Sequence, residues 1–402
     1  MGSYRNGRCL GRPGGGEDAG EIASPNSIPR AMQGNAEQTG PIAVYGATGF
    51  TGRLVAAELR RRGARMVLAG RNPAKLEILA GEIGDGAETR AVPLDDAAGL
   101  RNLLEPCAAV IACAGPFRLH GEPVLAAAVD AKTHYLDTTG EQPFMRTVFE
   151  RYGEPAESAG VALVTAMGFD YVPGDMIASL TAGPGPADEV GLAYWVKGFG
   201  PSRGTALSAL GMLAGGDVEW RGGRLQPAPQ SVGRGAWEFG EPIGRQRMVR
   251  YAAGEHITVP RHVLTPRVRT VLSASTAVPV PAPAAALVMA PLQLALRTPL
   301  RRAFEAIVPR LPEGPSTEAR RRSRFVIECE VRGPGGTRRG RVSGSDPYGL
   351  TARTTVEGAL RCAEPGYDRH GALAPSQAFD PAGFLDSLRS AGVEYEEPPP
   401  IE

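Results

Sequence analysis

The sequence predicts an α/β chain: a parallel, Rossmann-type sheet followed by a second domain of mixed or antiparallel strands. Three observations carry this. Between Ile42 and about Thr165, short apolar runs alternate with helical segments, the pattern of a parallel sheet covered by helices. In "AVYGATGFTG" (Ala43–Gly52), Gly46, Gly49 and Gly52 lie between the first apolar run and the first helix. Beyond about residue 185 the alternation gives way to strand and hairpin patterns.

Taken in order, the first forty residues are rich in Gly, Pro and polar side chains, with no apolar run. That predicts a disordered tail over 1–40 and no secretory signal, with Met32 as a candidate start. Strands follow at Ile42–Tyr45, Arg65–Ala69, Thr89–Leu94, Ala109–Cys113, Tyr135–Asp137 and Val161–Ala166. Arg60, Arg61 and Arg62 before Gly63 close the first helix, since cations suit its C-terminal dipole. Asn72-Pro73 opens the second helix as N-cap and first residue. In the second domain, "DEVGLAYWVKG" reads as a strand. "SRFVIECEVRGPGGTRRGRVSG" reads as a hairpin turning at Pro334-Gly335-Gly336, with Phe325, Ile327, Cys329 and Val331 on one face. "YGLTARTTVEGALRCAEP" is helical again.

Composition excludes several classes. The 402 residues carry 44 basic and 43 acidic side chains, so no global charge points to nucleic acid or an anionic membrane surface. The basic run Ala319–Arg324 reads as a solvated flank of the next strand. Five cysteines without a CxxC argue against a disulfide framework and for a reducing cytoplasm. Val271–Leu296 is uncharged, but Pro279, Pro281, Pro283 and Pro291 break any spanning helix. His256 and His262 lack a third ligand or carboxylate partner for zinc, so no metal is expected. The residues four before Lys75, Lys132 and Lys197 are Arg71, Ala128 and Ala193, so no Tyr-x-x-x-Lys pair exists.

The glycine run has a physical use. Gly46 permits a tight turn, Gly49 lets the backbone approach a pyrophosphate, and Gly52 lets the helix pack closely while its N-terminus faces the anion. Gly46, Thr48, Gly49, Phe50, Thr51 and Gly52 are therefore the candidate cofactor cradle. The second strand ends in "LAGRN", with Arg71 where an NAD site places an acid, which favours the 2′-phosphate of NADP(H). Asp95 and Asp96 follow the third strand and are candidates for the adenine edge, while Asp96 equally suits the N-cap of the next helix. The fourth strand ends in "CAGPF", placing Ala114, Gly115 and Pro116 where a nicotinamide ribose would lie.

"YGATGFTG", "LAGRN", "CAGPF", "HYLDTTGE" and "AMGFDYVPGD" occur in that order and together resemble the saccharopine dehydrogenase-like oxidoreductases, closest to the trans-acting enoyl reductase branch. The match is dense from Ile42 to Asp175, with echoes in "PSRGT", "EGPS", "DPYGLTA" and "GALAPSQAF". The resemblance implies a Rossmann domain over 41–175, an inserted α+β substrate domain over 176–344, and a segment over 345–402 returning to the Rossmann domain. It also implies NADP(H)-dependent reduction of an enoyl (thio)ester C=C bond in lipid or polyketide metabolism. Saccharopine-type C=N reduction and a non-catalytic NADP-binding regulator are the alternatives. The partner is then a small-molecule or acyl-chain substrate, with weak membrane or acyl-carrier association and a homodimer left open.

Enoyl reduction needs a hydride, a polarised carbonyl and a proton donor. Candidates at the carboxyl edge of the sheet are His120, Tyr135, Asp137, Asp170 and Tyr171, with Arg203 of "PSRGT" as an anion or carbonyl ligand. Asp170, Tyr135 and Arg203 are the catalytic set carried forward. Asp137 alternatively caps a turn, Asp170 fixes the crossover into the second domain, and His120 is a solvated loop histidine.

Overall fold

The computed structural model describes residues 39–84, 87–213, 217–229, 235–277, 308–310 and 312–398. The tail expected over 1–40, except its last two residues, and the apolar stretch from residue 278 lie outside them.

The apolar runs of the first half form parallel strands β1 (Ile42–Tyr45), β2 (Met66–Gly70), β3 (Ala87–Ala91), β4 (Ala109–Ala112), β5 (His134–Asp137) and β6 (Ala162–Val164). Their order is β3–β2–β1–β4–β5–β6, and the strand Gly371–Leu373 extends the sheet beside β6. The direction of winding reverses between β1 and β4, which opens a crevice at their carboxyl ends. Every residue of β1, β2, β4 and β6 is buried, because helices cover both faces. Those helices are α1 (Phe50–Arg61), α2 (Pro73–Ile83), α3 (Ala97–Leu104), α4 (Phe117–Asp130), α5 (Gln142–Arg151) and α6 (Gly153–Ala159).

Helix boundaries follow local chemistry. The Asn72 side chain accepts the Lys75 N–H at 3.0 Å and starts α2. The Asp96 side chain accepts the Gly99 N–H at 2.8 Å, so of its two readings the N-cap is the one it occupies. β6 stops at Val164, short of the expected Ala166, because Ala166 turns to φ +61° and leaves the strand.

α7 (Val172–Ala182) leads into the second sheet, so the expected boundary at residue 175 falls inside a helix. That sheet is mixed, ordered Gly235–Phe239, Gly244–Arg250, Val268–Ser273, Glu189–Lys197, Arg324–Gly333, Gly336–Ser345 and Glu394–Glu396. Only Val268–Ser273 and Glu189–Lys197 pair in parallel. The hairpin expected at Pro334-Gly335 is there, with Phe325, Ile327, Cys329 and Val331 facing α7 and the core. Its other face is also covered: Val326, Glu328 and Glu330 are buried, and the Trp237 ring N–H donates to Glu328 at 2.8 Å.

The segment 345–402 serves both sheets. Its helix Pro347–Cys362 packs on α1, β4 and β5, Gly371–Leu373 joins the first sheet, and Glu394–Glu396 joins the second. One continuous core runs through both sheets and includes Val44, Ile111, Val190, Phe325, Val356 and Phe384. Leu350, Val356, Phe379, Phe384, Leu385 and Leu388 are each at most 3% exposed. At about 1.5–3 kcal/mol for each fully buried side chain, their loss rivals the roughly 5–15 kcal/mol stability of a whole domain. A chain ending at Gly344 should therefore show no cooperative thermal transition in circular dichroism; a sharp melt would show that the first sheet does not need this segment.

Candidate functional site

The turn between β1 and α1 is a cradle made by the absence of side chains. Gly46 sits at φ +83°, and a Cβ there would lie 2.9 Å from the Ala114 backbone nitrogen. A Cβ on Gly52 would collide with the Gly46 carbonyl oxygen and lie 2.8 Å from the Ala47 backbone. Gly46 thus brings the β4 loop against the turn, and Gly52 brings α1 against it. The Gly49 N–H closes the turn on the Gly46 carbonyl at 3.0 Å. α1 has neither a side-chain cap nor an acid in its first turn. The N–H groups of Phe50, Thr51 and Gly52 take no acceptor among the described residues. A helix start with free donors and no competing carboxylate suits an anion such as a pyrophosphate.

The other predicted cofactor residues line the same edge. Thr48 and Thr51 are half-buried in the turn, and Ala114, Gly115 and Pro116 form the β4 loop beside Gly46. Arg71 is exposed at the end of β2, with no ion pair among the described residues, and its charge reaches the Tyr45 hydroxyl. Asp95 is exposed and acts on the same hydroxyl, which donates to the Val92 carbonyl at 2.9 Å.

Two loops hang from Asp137. It is fully buried and accepts the Thr139 N–H and the Ala166 N–H, each at 2.9 Å, and the Thr165 hydroxyl at 2.8 Å. Burial outweighs these bonds and pushes its carboxyl up to about 6. Tyr135 has no exposed surface and lies on β5 against Asp137. Asp170 is different. Protein surrounds it, part of its surface reaches solvent, and it takes no hydrogen bond among the described residues. Burial alone pushes its carboxyl up to about 6. It faces the β5 loop, since a Cβ on Gly140 would be 3.9 Å from Asp170 Oδ2. Tyr171 donates its hydroxyl to the Gly140 carbonyl at 2.9 Å.

The remaining candidates have other surroundings. His120 lies on α4, not on a loop. Arg203 starts a helix as expected, but its guanidinium lies 3.9 Å from Glu313 and its N–H donates to the Glu313 carbonyl. His256 and His262 do not meet at a metal. His256 Nδ1 accepts the Trp220 N–H, while His262 Nε2 lies 2.9 Å from the buried Asp175. Burial works against the Asp175 charge, but His262, Thr258 and Ser376 hold its carboxyl below the ordinary value. No cluster of metal-binding side chains exists among the described residues.

Glu141 is a site residue that sequence reasoning missed. Its carboxylate accepts the N–H groups of Phe117 and Arg118, at 2.9 and 3.1 Å, and the Ser208 hydroxyl at 3.0 Å. It thereby caps α4, whose own N-cap is Pro116 and offers no side-chain acceptor. A helix opening on Pro-Phe-Arg without Ser, Thr, Asp or Asn was the available signal. Three of the weaker motifs also converge here. Phe50 meets the Tyr348 ring edge-on at 5.1 Å, a Cβ on Gly314 would strike Phe50, and the Tyr348 hydroxyl accepts the Ser202 N–H at 2.7 Å.

Comparison with known proteins agrees with this geometry. The family described as the saccharopine dehydrogenase NADP binding domain matches residues 42–164. A Mycobacterium tuberculosis protein provisionally named a trans-acting enoyl reductase is 35% identical over 209 residues, covering 48% of this chain and 50% of that protein. A Mycobacterium ulcerans trans-acting enoyl reductase is 35% identical over 147 residues, covering 35% of each. The chain thus spans half or less of the length of the curated relatives it matches. Saccharopine dehydrogenase (L-Glu forming) from Saccharomyces cerevisiae shares the fold, with a TM-score of 0.57 over 89% of this chain and 99% of that one at 15% identity. For the cradle, Gly46→Val should abolish NADPH-dependent quenching of protein fluorescence by forcing the β4 loop away from the turn. Unaltered quenching by that variant would show that the close approach is not needed. Residues 42–164 match the saccharopine dehydrogenase NADP binding domain, and this match indicates NADP(H) binding.

Proposed function

We propose that the chain is an NADP(H)-dependent oxidoreductase that reduces the C=C bond of an enoyl thioester. Asp170 carries this reading. It is a carboxyl at the carboxyl edge of the first sheet, free of hydrogen bonds among the described residues and pushed up to about 6 by burial. Such a group holds its proton near neutral pH far better than an ordinary aspartate. When bound, NADPH would supply the hydride for the β-carbon of the enoyl group. Asp170 in its acid form gives its proton to the α-carbon, so the π bond is replaced by two C–H bonds. The cradle residues Gly46, Thr48, Gly49, Phe50, Thr51 and Gly52 would hold the pyrophosphate, and Arg71 the 2′-phosphate. Ala114, Gly115 and Pro116 would border the nicotinamide ribose, and Asp95 the adenine edge. The names of the mycobacterial relatives, trans-acting enoyl reductases, support enoyl reduction in trans.

One observation favours a second reading, reduction of a C=N bond. Asp217, also pushed up to about 6 by burial against the pull of Arg250, acts on the Tyr171 hydroxyl as Asp170 does. Two carboxyl groups near one hydroxyl would suit a cationic nitrogen.

Two measurements test the assignment. NADPH oxidation with crotonyl N-acetylcysteamine thioester should fall about 10²–10⁴-fold in Asp170→Asn, the usual span for a lost general acid, while NADPH affinity is kept. In the unsubstituted enzyme the rate should decline above about pH 6, as Asp170 loses its proton. Turnover of an imine but not of the thioester would transfer the assignment to the second reading. Arg71→Ala removes one charge-assisted contact of about 1.5–3 kcal/mol and should weaken NADPH binding roughly tenfold to a hundredfold. NADH binding should stay nearly unchanged; equal loss for both cofactors would remove Arg71 from the 2′-phosphate.

A further inference from the structure

Asp170 has no hydrogen bond of its own among the described residues, so its position is inherited from its chain neighbours. Those neighbours are held from two sides. On one side lies Asp137: its carboxylate accepts from Thr165 and Ala166, and its carbonyl accepts the Met167 N–H at 2.7 Å. On the other side lies the helix Pro347–Cys362. There the Thr354 and Thr355 hydroxyls donate to the Met167 carbonyl, at 2.6 and 3.0 Å, and the Thr351 hydroxyl accepts the Phe169 N–H at 3.0 Å.

These threonines are poorly suited to the helix that bears them. A β-branched side chain loses rotamer freedom in a helix, and its hydroxyl competes for backbone carbonyls one turn back. Thr351, Thr354 and Thr355 do approach the carbonyls of Pro347, Leu350 and Thr351. Valine would fill the same space without a hydroxyl, and Thr354 and Thr355 are fully buried. The loop they hold also needs restraint, because Ala166 sits at φ +61°, a left-handed conformation that strains a non-glycine residue.

We propose that Thr351, Thr354 and Thr355 are positioning residues that set how far Asp170 reaches over the carboxyl edge of the first sheet. The proposal rests on the reading of Asp170 as proton donor. Tyr171, Tyr194, Tyr251, Tyr348 and Glu255 all face Asp170 electrostatically, so a displaced loop changes the surroundings in which its carboxyl titrates.

The test uses the full chain loaded with NADPH. The Asp170 carboxyl is followed by ¹³C NMR against pH, its signal assigned by its absence in Asp170→Asn. In the double variant Thr354→Val, Thr355→Val the midpoint should move by at least about half a unit. Thioester-dependent NADPH oxidation should fall about tenfold, as expected for a catalytic group displaced by a fraction of an ångström. The double variant Thr354→Ser, Thr355→Ser keeps both hydroxyls and should restore both readouts. Thr351→Val should move the midpoint the same way and serves if the valine pair does not fold. An unchanged midpoint and rate in the valine variants, or a serine variant as impaired as the valine one, overturns the proposal. A full rate in Asp170→Asn would instead overturn the donor reading, and the NMR midpoint would still decide whether the threonines place this carboxyl.

Discussion

Asp137 sits at the end of β5 with no exposed surface, and its two carboxylate oxygens gather an N–H from its own loop and an N–H and a hydroxyl from the loop after β6. The floor of the crevice depends on this gathering. The β5 loop carries Gly140 and Glu141, and the β6 loop carries Asp170 and Tyr171. A buried acid without a cation is costly, and the raised value of about 6 expresses that cost. The hydrogen bonds oppose it without cancelling it, which fits a residue kept for the geometry it imposes.

Around that floor, distant pieces of chain do work that neighbouring residues cannot. Glu141 caps α4 because Pro116 offers no acceptor. Gln142 follows and ties the start of α5 to two later segments, bonding the Val218 N–H and the carbonyls of Val218 and Ala253. In the second sheet's interior Tyr194 donates to Glu255, whose carboxyl is pushed far above its ordinary value by burial.

The sequence made the parallel sheet legible because its central strands are covered on both faces and read as unbroken apolar runs. It made the cradle legible because Gly46 and Gly52 answer to backbone contacts within the same turn or loop pair. Arg71 was visible through the acid missing beside it. What stayed hidden depends on long-range partners. Nothing local to Thr351, Thr354 or Thr355 indicates that their hydroxyls meet Met167 and Phe169. Nothing local to Tyr135 says that it has no exposed surface, since a buried and a lining tyrosine look alike on a strand. Asp96 could be resolved only by seeing its oxygen on the Gly99 N–H.

The discontinuity of the first sheet separates two quantities that usually coincide. The stretch that the family model matches runs from residue 42 to residue 164. The stretch that covers its sheet includes the helix Pro347–Cys362 and the strand Gly371–Leu373, nearly two hundred positions later. The matched stretch is thus shorter than the unit that folds. Recombination that exchanged only the matched part would have to reproduce the Phe50–Tyr348 packing and the Arg62–Glu357 ion pair with a new partner at each position. A substitution on the face of α1 that meets the helix Pro347–Cys362 is therefore constrained by residues at the far end of the chain.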